Sequence, residues 1–239
     1  MSYENFAYYY DSLMDPQFYD DYYHFIIQHV QFNDVLELGC GTGEIAIRLA
    51  QNGIDVYATD ISNDMLEVAR LKAMSQNVDL RLQKVDMTDF STSYQLDLIL
   101  CLCDSLNYIL DRDLIIKTFQ NVYCSLKDEG TFIFDVNSLY KMNVLLNNYQ
   151  EDEEDEEFDF QWHVQLIEEG YVHHYLYIHD KLENEKVIED HYQRTFSVQR
   201  YLQWLNEVGF YNIQYYSDFN DYHENCERII FICKKGEKE

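Results

Sequence analysis

The chain has 239 residues, enough for one large α/β domain or a core with a small insertion. Its 44 Asp and Glu against 17 Lys and Arg give a formal charge of -27, which opposes nucleic acid or an anionic membrane as partner and leaves a basic protein conceivable. The six cysteines form no Cys-x-x-Cys pair, and no apolar run approaches the length of a membrane span, so a soluble, unprocessed protein of a reducing cytoplasm without structural zinc is expected.

Residues 1–30 are rich in tyrosine, and Asp15-Pro16 marks a helix start whose apolar face is Phe18, Tyr22, Phe25, Ile26 and Val30. Val35, Leu36 and Leu38 then suit a strand buried on both faces. It breaks into Gly39, Gly41 and Gly43, and Ile45, Ala46, Leu49 and Ala50 continue at helical spacing to a stop at Asn52-Gly53. Strand, glycine turn and helix form a ligand-binding unit with the turn at the helix N-terminus.

The fragment Gly41-Thr42-Gly43-Glu44-Ile45-Ala46 also fits a dinucleotide fingerprint. Glu37, two residues ahead of the first glycine, would repel a pyrophosphate and suits a ligand carrying an ammonium and a sulfonium. With Glu37-Leu38-Gly39-Cys40-Gly41-Thr42-Gly43 the chain resembles the class I S-adenosylmethionine-dependent methyltransferases, over most of its length. The resemblance implies a doubly wound, mostly parallel seven-stranded sheet whose last strand is antiparallel, with S-adenosylmethionine held near Glu37, Gly39, Cys40, Gly41 and Gly43. It also implies that Tyr8 or Tyr10 of the leading segment covers the ligand, an alternative to two helices merely packed on the core.

A second strand, Ile54 to Thr59, ends in Asp60, placed to accept both ribose hydroxyls while Ser62 caps the next helix and leaves Asp60 free. Ile61 and Met65 follow, either flanking an adenine or joining the core. Leu80 to Val85 is a third strand with Asp86-Met87 at its carboxyl end, and the resemblance places Asp86 against the adenine amino group. The fourth strand, Leu96 to Leu102, ends in Cys103-Asp104-Ser105-Leu106-Asn107-Tyr108, which should border the transferred methyl. A helix from Asp111 to Leu126, a turn at Glu129-Gly130 and a strand from Thr131 to Val136 complete five strand-and-helix units.

The pattern changes after Asn137. A short helix around Leu139 to Leu146 leads to seven consecutive carboxylates, Glu151 to Glu157, expected as a solvated loop. Period-two stretches over Phe160–Ile167, Tyr171–His179 and Val187–Phe196 predict a three-stranded antiparallel sheet. The predicted organisation is thus a cofactor-binding core of 1–150 and 196–239 with an inserted lid of 151–195. The insert's five histidines lack zinc-motif spacing. On its third strand His191 and Gln193 share one face and Tyr192 and Arg194 the other, and Tyr192 and Arg194 are taken as acceptor contacts. Ser197 caps a helix that stops at Gly209, and strands over Phe210–Tyr216 and Arg228–Lys234 end the chain.

Methyl transfer to an unidentified, small acceptor is the expected function, with Asp104, His191 or a tyrosine as candidate base. Two competing readings are an NAD-dependent oxidoreductase and a cofactor-binding regulator without catalysis.

Overall fold

The computed structural model describes residues 6–154 and 156–236, with the side chains of Phe6, Tyr8 and Ser12 outside that description, so the expectation for Tyr8 falls there. Eleven strands form two sheets among the described residues. The larger contains β1 (Asp34–Leu38), β2 (Asp55–Asp60), β3 (Arg81–Lys84), β4 (Leu96–Cys101), β5 (Leu126–Asn137), β10 (Phe210–Ser217) and β11 (Arg228–Lys235). Their order is β10-β11-β5-β4-β1-β2-β3, and β11 alone runs antiparallel to its neighbours. Strand order reverses between β1 and β4, which pair in parallel, so their carboxyl ends open the crevice where such sheets bind ligands.

Near-continuous apolar strands explain the double cover of helices. Leu36, Leu38, Ile99, Phe132 and Phe134 pack on one side, with α5 (Arg112–Ser125) and α6 (Val198–Val208) contributing Phe119, Tyr201 and Trp204. Val35, Leu98, Leu100 and Ile133 pack on the other, against α2 (Pro16–His29) and α3 (Glu44–Gln51). α4 (Asn63–Ser75) starts as expected, with Ser62 Oγ accepting from Met65 N, and Asp15 and Asp111 likewise cap α2 and α5. The Glu129-Gly130 turn is a kink inside β5, with Glu129 at φ 62°.

The second sheet has four strands, not three, in the order β6 (Gln150–Glu154), β7 (Phe158–Glu168), β8 (Tyr171–Asp180) and β9 (Glu185–Arg194), all antiparallel. The first half of the acidic run is therefore an edge strand. Its carboxylates face solvent, and Asp152 meets His163 at 2.8 Å. Charge on an edge discourages further strand pairing, which gives this composition a place in a sheet. Val187, Glu189, His191 and Gln193 of β9 face inward against the core. Asn107 Nδ2 donates to the Arg194 carbonyl at 2.8 Å and Asn137 Nδ2 to Gln193 Oε1 at 3.1 Å. The insert is thus fastened to the loops around the crevice.

A short helix α1 (Phe6–Tyr10) packs against α4 and the second sheet. Tyr9 and Tyr10 join a cluster with Phe160, Ile178, Val187 and Met65, and the Tyr9 hydroxyl donates to Asp180 at 3.1 Å. Asp11 accepts from Thr42 Oγ1 at 2.6 Å and from Lys72 at 2.7 Å, tying the other end of the segment to the glycine turn and α4.

Candidate active site

The carboxyl ends of β1, β2, β3 and β4 surround a cavity of about 1060 Å³, at the upper end of small-molecule sites. Its floor is the glycine turn. Gly39, Gly41 and Gly43 have φ of 68°, 52° and 80°. A Cβ on Gly39 would sit 2.7 Å from Ser105 Oγ, so this position requires glycine for both conformation and space. Gly41 lines the cavity, and a Cβ there would meet no atom within 4 Å.

Glu37, the penultimate residue of β1, lies beneath the turn at 3% exposure, and its Oε2 finds no hydrogen-bond partner among the described residues. Burial, with the nearby Asp60 charge, raises its carboxyl to about 8. An orphaned acid aimed into a cavity fits a cationic ligand that supplies the missing donor. Such a ligand binds the carboxylate, so it must displace the Glu37 proton at neutral pH. Affinity for S-adenosylmethionine, the cationic ligand that the sequence resemblance implies, should accordingly rise between about pH 6 and 8. Calorimetry at pH 7 in buffers of different ionisation heat should find proton release, and Glu37→Gln should remove both effects.

Asp60 lies at the end of β2, but it is not free as expected: Oδ2 accepts from Gly41 N at 2.9 Å and Oδ1 from Ser62 N at 2.8 Å. Burial raises its carboxyl while these backbone donors oppose the shift. The two bonds lock the carboxylate against the glycine turn and leave its remaining lone pairs for a ligand hydroxyl. Ile61, 61% exposed, stands at the cavity rim with Met65. Asp86 and Met87 line the wall after β3, and Asp86 Oδ1 also closes its own turn by accepting from Thr88 N. Cys40, Cys103 and Tyr10 complete this half of the cavity, and Gly43 lies behind it against Ala69.

Beyond Cys103 the cavity continues past Asp104, Tyr108 and Tyr19 to His191. Cys103 and Asp104 hold consecutive left-handed conformations, φ 54° and 52°, uncommon outside glycine and asparagine. Three groups fix this turn. Asp135 Oδ2 accepts from Asp104 N at 2.9 Å, Arg228 donates to Asp104 Oδ1 at 2.9 Å, and Gln193 donates to Asp104 Oδ2 at 2.7 Å. Arg228 also contacts Asp135 and lies 5.0 Å from the centre of the Phe18 ring. Burial works to raise the Asp104 carboxyl, yet Arg228, Lys141 and Gln193 outweigh it and hold it below the usual range. So committed a carboxylate is a poor proton acceptor, which removes Asp104 as a strong base and makes it a fixed charge.

His191 is the other candidate. It is 7% exposed, lines the cavity, and packs edge-on to Tyr108 with ring centres 5.8 Å apart. Burial lowers its pKa, so the imidazole is neutral at pH 7 and able to take a proton. Tyr192 and Arg194 are corrections: the period-two pattern puts them on the outer face of β9, where Tyr192 stacks on His173 and Arg194 pairs with Glu168 at 2.9 Å. Neither lines the cavity. Sequence reasoning missed Arg228, Tyr19 and Lys84. Only Arg228 and its partner Asp135 left a signal, as charges within apolar strands that demand a counter-charge.

A methyltransferase-domain family model matches residues 35–130, the stretch from β1 into the kink of β5. A protein from Geobacillus sp. (strain WCH70), described as a methyltransferase with no stated acceptor, is 35% identical over 98% of this chain and 100% of its own length. The crystal structure of an S-adenosylmethionine-dependent methyltransferase from Clostridium acetobutylicum ATCC 824 superposes with a TM-score of 0.87 at 31% identity, covering 98% of this chain and 99% of the other. The glycine/sarcosine N-methyltransferase of Aphanothece halophytica is 26% identical over 84% of this chain and 76% of its own.

Proposed function

The chain belongs to the class I S-adenosylmethionine-dependent methyltransferases, and from that premise we propose that it methylates a small molecule bound beside Cys103, Asp104, Tyr108 and His191. The observation that carries this reading is one cavity running without interruption from Asp60 and Glu37 to His191. S-adenosylmethionine, when bound, supplies a methyl carbon on a positively charged sulfur.

The residues divide the work along the cavity. Asp60 accepts the ribose hydroxyls, Glu37 faces the ligand's positive charge, and the Gly39, Cys40 and Gly41 backbone forms the floor beneath it. Ile61, Met65, Asp86 and Met87 bracket the adenine, and Tyr10 roofs the site. Asp104 marks the acceptor side and His191 receives the acceptor proton. Residues 1–150 and 196–239 act as cofactor-binding core and 151–195 as acceptor wall, so orientation and exclusion of water fall to the insert.

A small acceptor agrees with a concave site walled by the insert, and the acceptors in the name of the Aphanothece halophytica enzyme are small molecules. All six cysteines are free thiols, which supports a reducing, cytoplasmic setting. No helix among the described residues is long and apolar enough to cross a membrane.

Titration calorimetry tests the reading. S-adenosylmethionine and S-adenosylhomocysteine are expected to bind saturably, with no competition from NAD. Saturable NAD binding without heat from S-adenosylhomocysteine would instead favour the oxidoreductase alternative.

A further inference from the structure

We propose that the acceptor is a small amine, seated as a cation among the rings of Tyr10, Tyr19 and Tyr108 and the Asp104 carboxylate, with His191 taking its proton. The inference rests on the methyltransferase reading and adds the chemical class of the second substrate.

Charge in the cavity is the first ground. Seven acidic side chains line it, Glu37, Glu44, Asp60, Asp64, Asp86, Asp104 and Asp111, against the single ammonium of Lys84. Glu37 is protonated at neutral pH until a ligand binds and Glu44 is paired with Arg48 and Lys72, which still leaves acids in excess. Lys84 pairs in register with Asp60 across β2 and β3, at the far end from His191. Near the acceptor end the cations are already committed. Arg228 is shared between Asp104 and Asp135, Lys141 lies 3.6 Å from Glu227, and Arg194 points away from the cavity to Glu168. An acceptor carrying a carboxylate or phosphate would therefore be desolvated without a counter-ion. A cation meets aromatic faces and a fixed carboxylate, the two groups that stabilise it.

The strength of the base is the second ground. A buried imidazole is matched to an acid of similar strength, and an ammonium placed beside a sulfonium is acidified by that neighbouring charge. An aliphatic alcohol is a much weaker acid than an ammonium, so it is the poorer match for such a base. The ammonium proton passes to the His191 imidazole, and the freed nitrogen lone pair forms the new bond to the methyl carbon. The carbon–sulfur bonding pair remains on sulfur, leaving a neutral thioether and a methylated ammonium. His191 then returns its proton to solvent.

Three probes with one ring and the same two-carbon spacer between ring and polar group, phenethylamine, 2-phenylethanol and 3-phenylpropionate, separate the classes. Each is titrated by calorimetry into the full-length protein saturated with S-adenosylhomocysteine. The amine is expected to bind at least about tenfold more tightly than the alcohol, and the acid weakest. Tyr108→Leu should weaken the amine about tenfold and leave S-adenosylhomocysteine affinity unchanged. Equal affinities, preference for the acid, no binding of the amine, or indifference to Tyr108→Leu would overturn the amine assignment. Failure of S-adenosylhomocysteine itself to bind would remove the methyltransferase reading beneath it.

Discussion

Arg228→Ala is expected to lower the unfolding free energy by about 3 to 5 kcal/mol, because it deletes one member of a buried ionic cluster and strands the others. Asp135 is fully buried near the carboxyl end of β5, and Asp104 loses its 2.9 Å partner at the same stroke. The ring of Phe18 also loses the guanidinium stacked above it. Urea unfolding measures the loss directly, and in a heat scan it should appear as a fall of roughly 6 to 20 °C. A pH signature separates the charge effect from lost packing. In the parent, Asp104 titrates below its unfolded value, so its stabilisation is present above the unfolded pKa and disappears as pH falls through the folded one. Burial already holds the Asp135 carboxyl above its unfolded value in the parent, and without Arg228 it dominates both carboxyls, which favours the protonated fold at low pH. The gap between variant and parent should therefore narrow from pH 7 toward pH 4. A gap constant with pH would mean that the ionic cluster is not what holds this corner together.

His191→Ala is expected to cut methyl transfer by about 10²- to 10⁴-fold, the usual worth of a positioned base, with S-adenosylhomocysteine affinity unchanged. Transfer can be followed as labelled methyl entering the small-molecule fraction of a cell extract. In the parent the rate should fall as the medium is acidified through the depressed pKa of His191, since a protonated imidazole accepts nothing. Asp190 opposes that depression, His173 reinforces it, and His174 and Tyr108 stand alongside. The variant should lose this acid limb. A variant that keeps both the rate and the limb would reduce His191 to a wall of the cavity.

Much of the core could be read from the chain because its information is local. Val35 to Gly43 carries strand, turn and helix start within nine residues, and Asp60 follows from counting to the end of the next strand. What escaped depends on partners far along the chain. Gln150 to Glu154 has no apolar alternation, and only the edge of β7 makes it a strand. On β9 both faces are polar, so periodicity pairs His191 with Gln193 without saying which face turns inward. Asn107, Asn137 and Asp104 decide that from 56 to 89 residues away. The freedom expected for Asp60 failed for a related reason. Ser62 caps α4 as foreseen, but Asp60 has its own backbone donors, one of them on the neighbouring glycine turn at Gly41.

α1 has five residues, too few to hold a helix unaided, and it keeps its place through Tyr9 on Asp180 and Asp11 on Thr42 and Lys72. One end is bonded to the insert and the other to the glycine turn and α4, so a shift of the insert is transmitted to the turn through a peptide of a few residues.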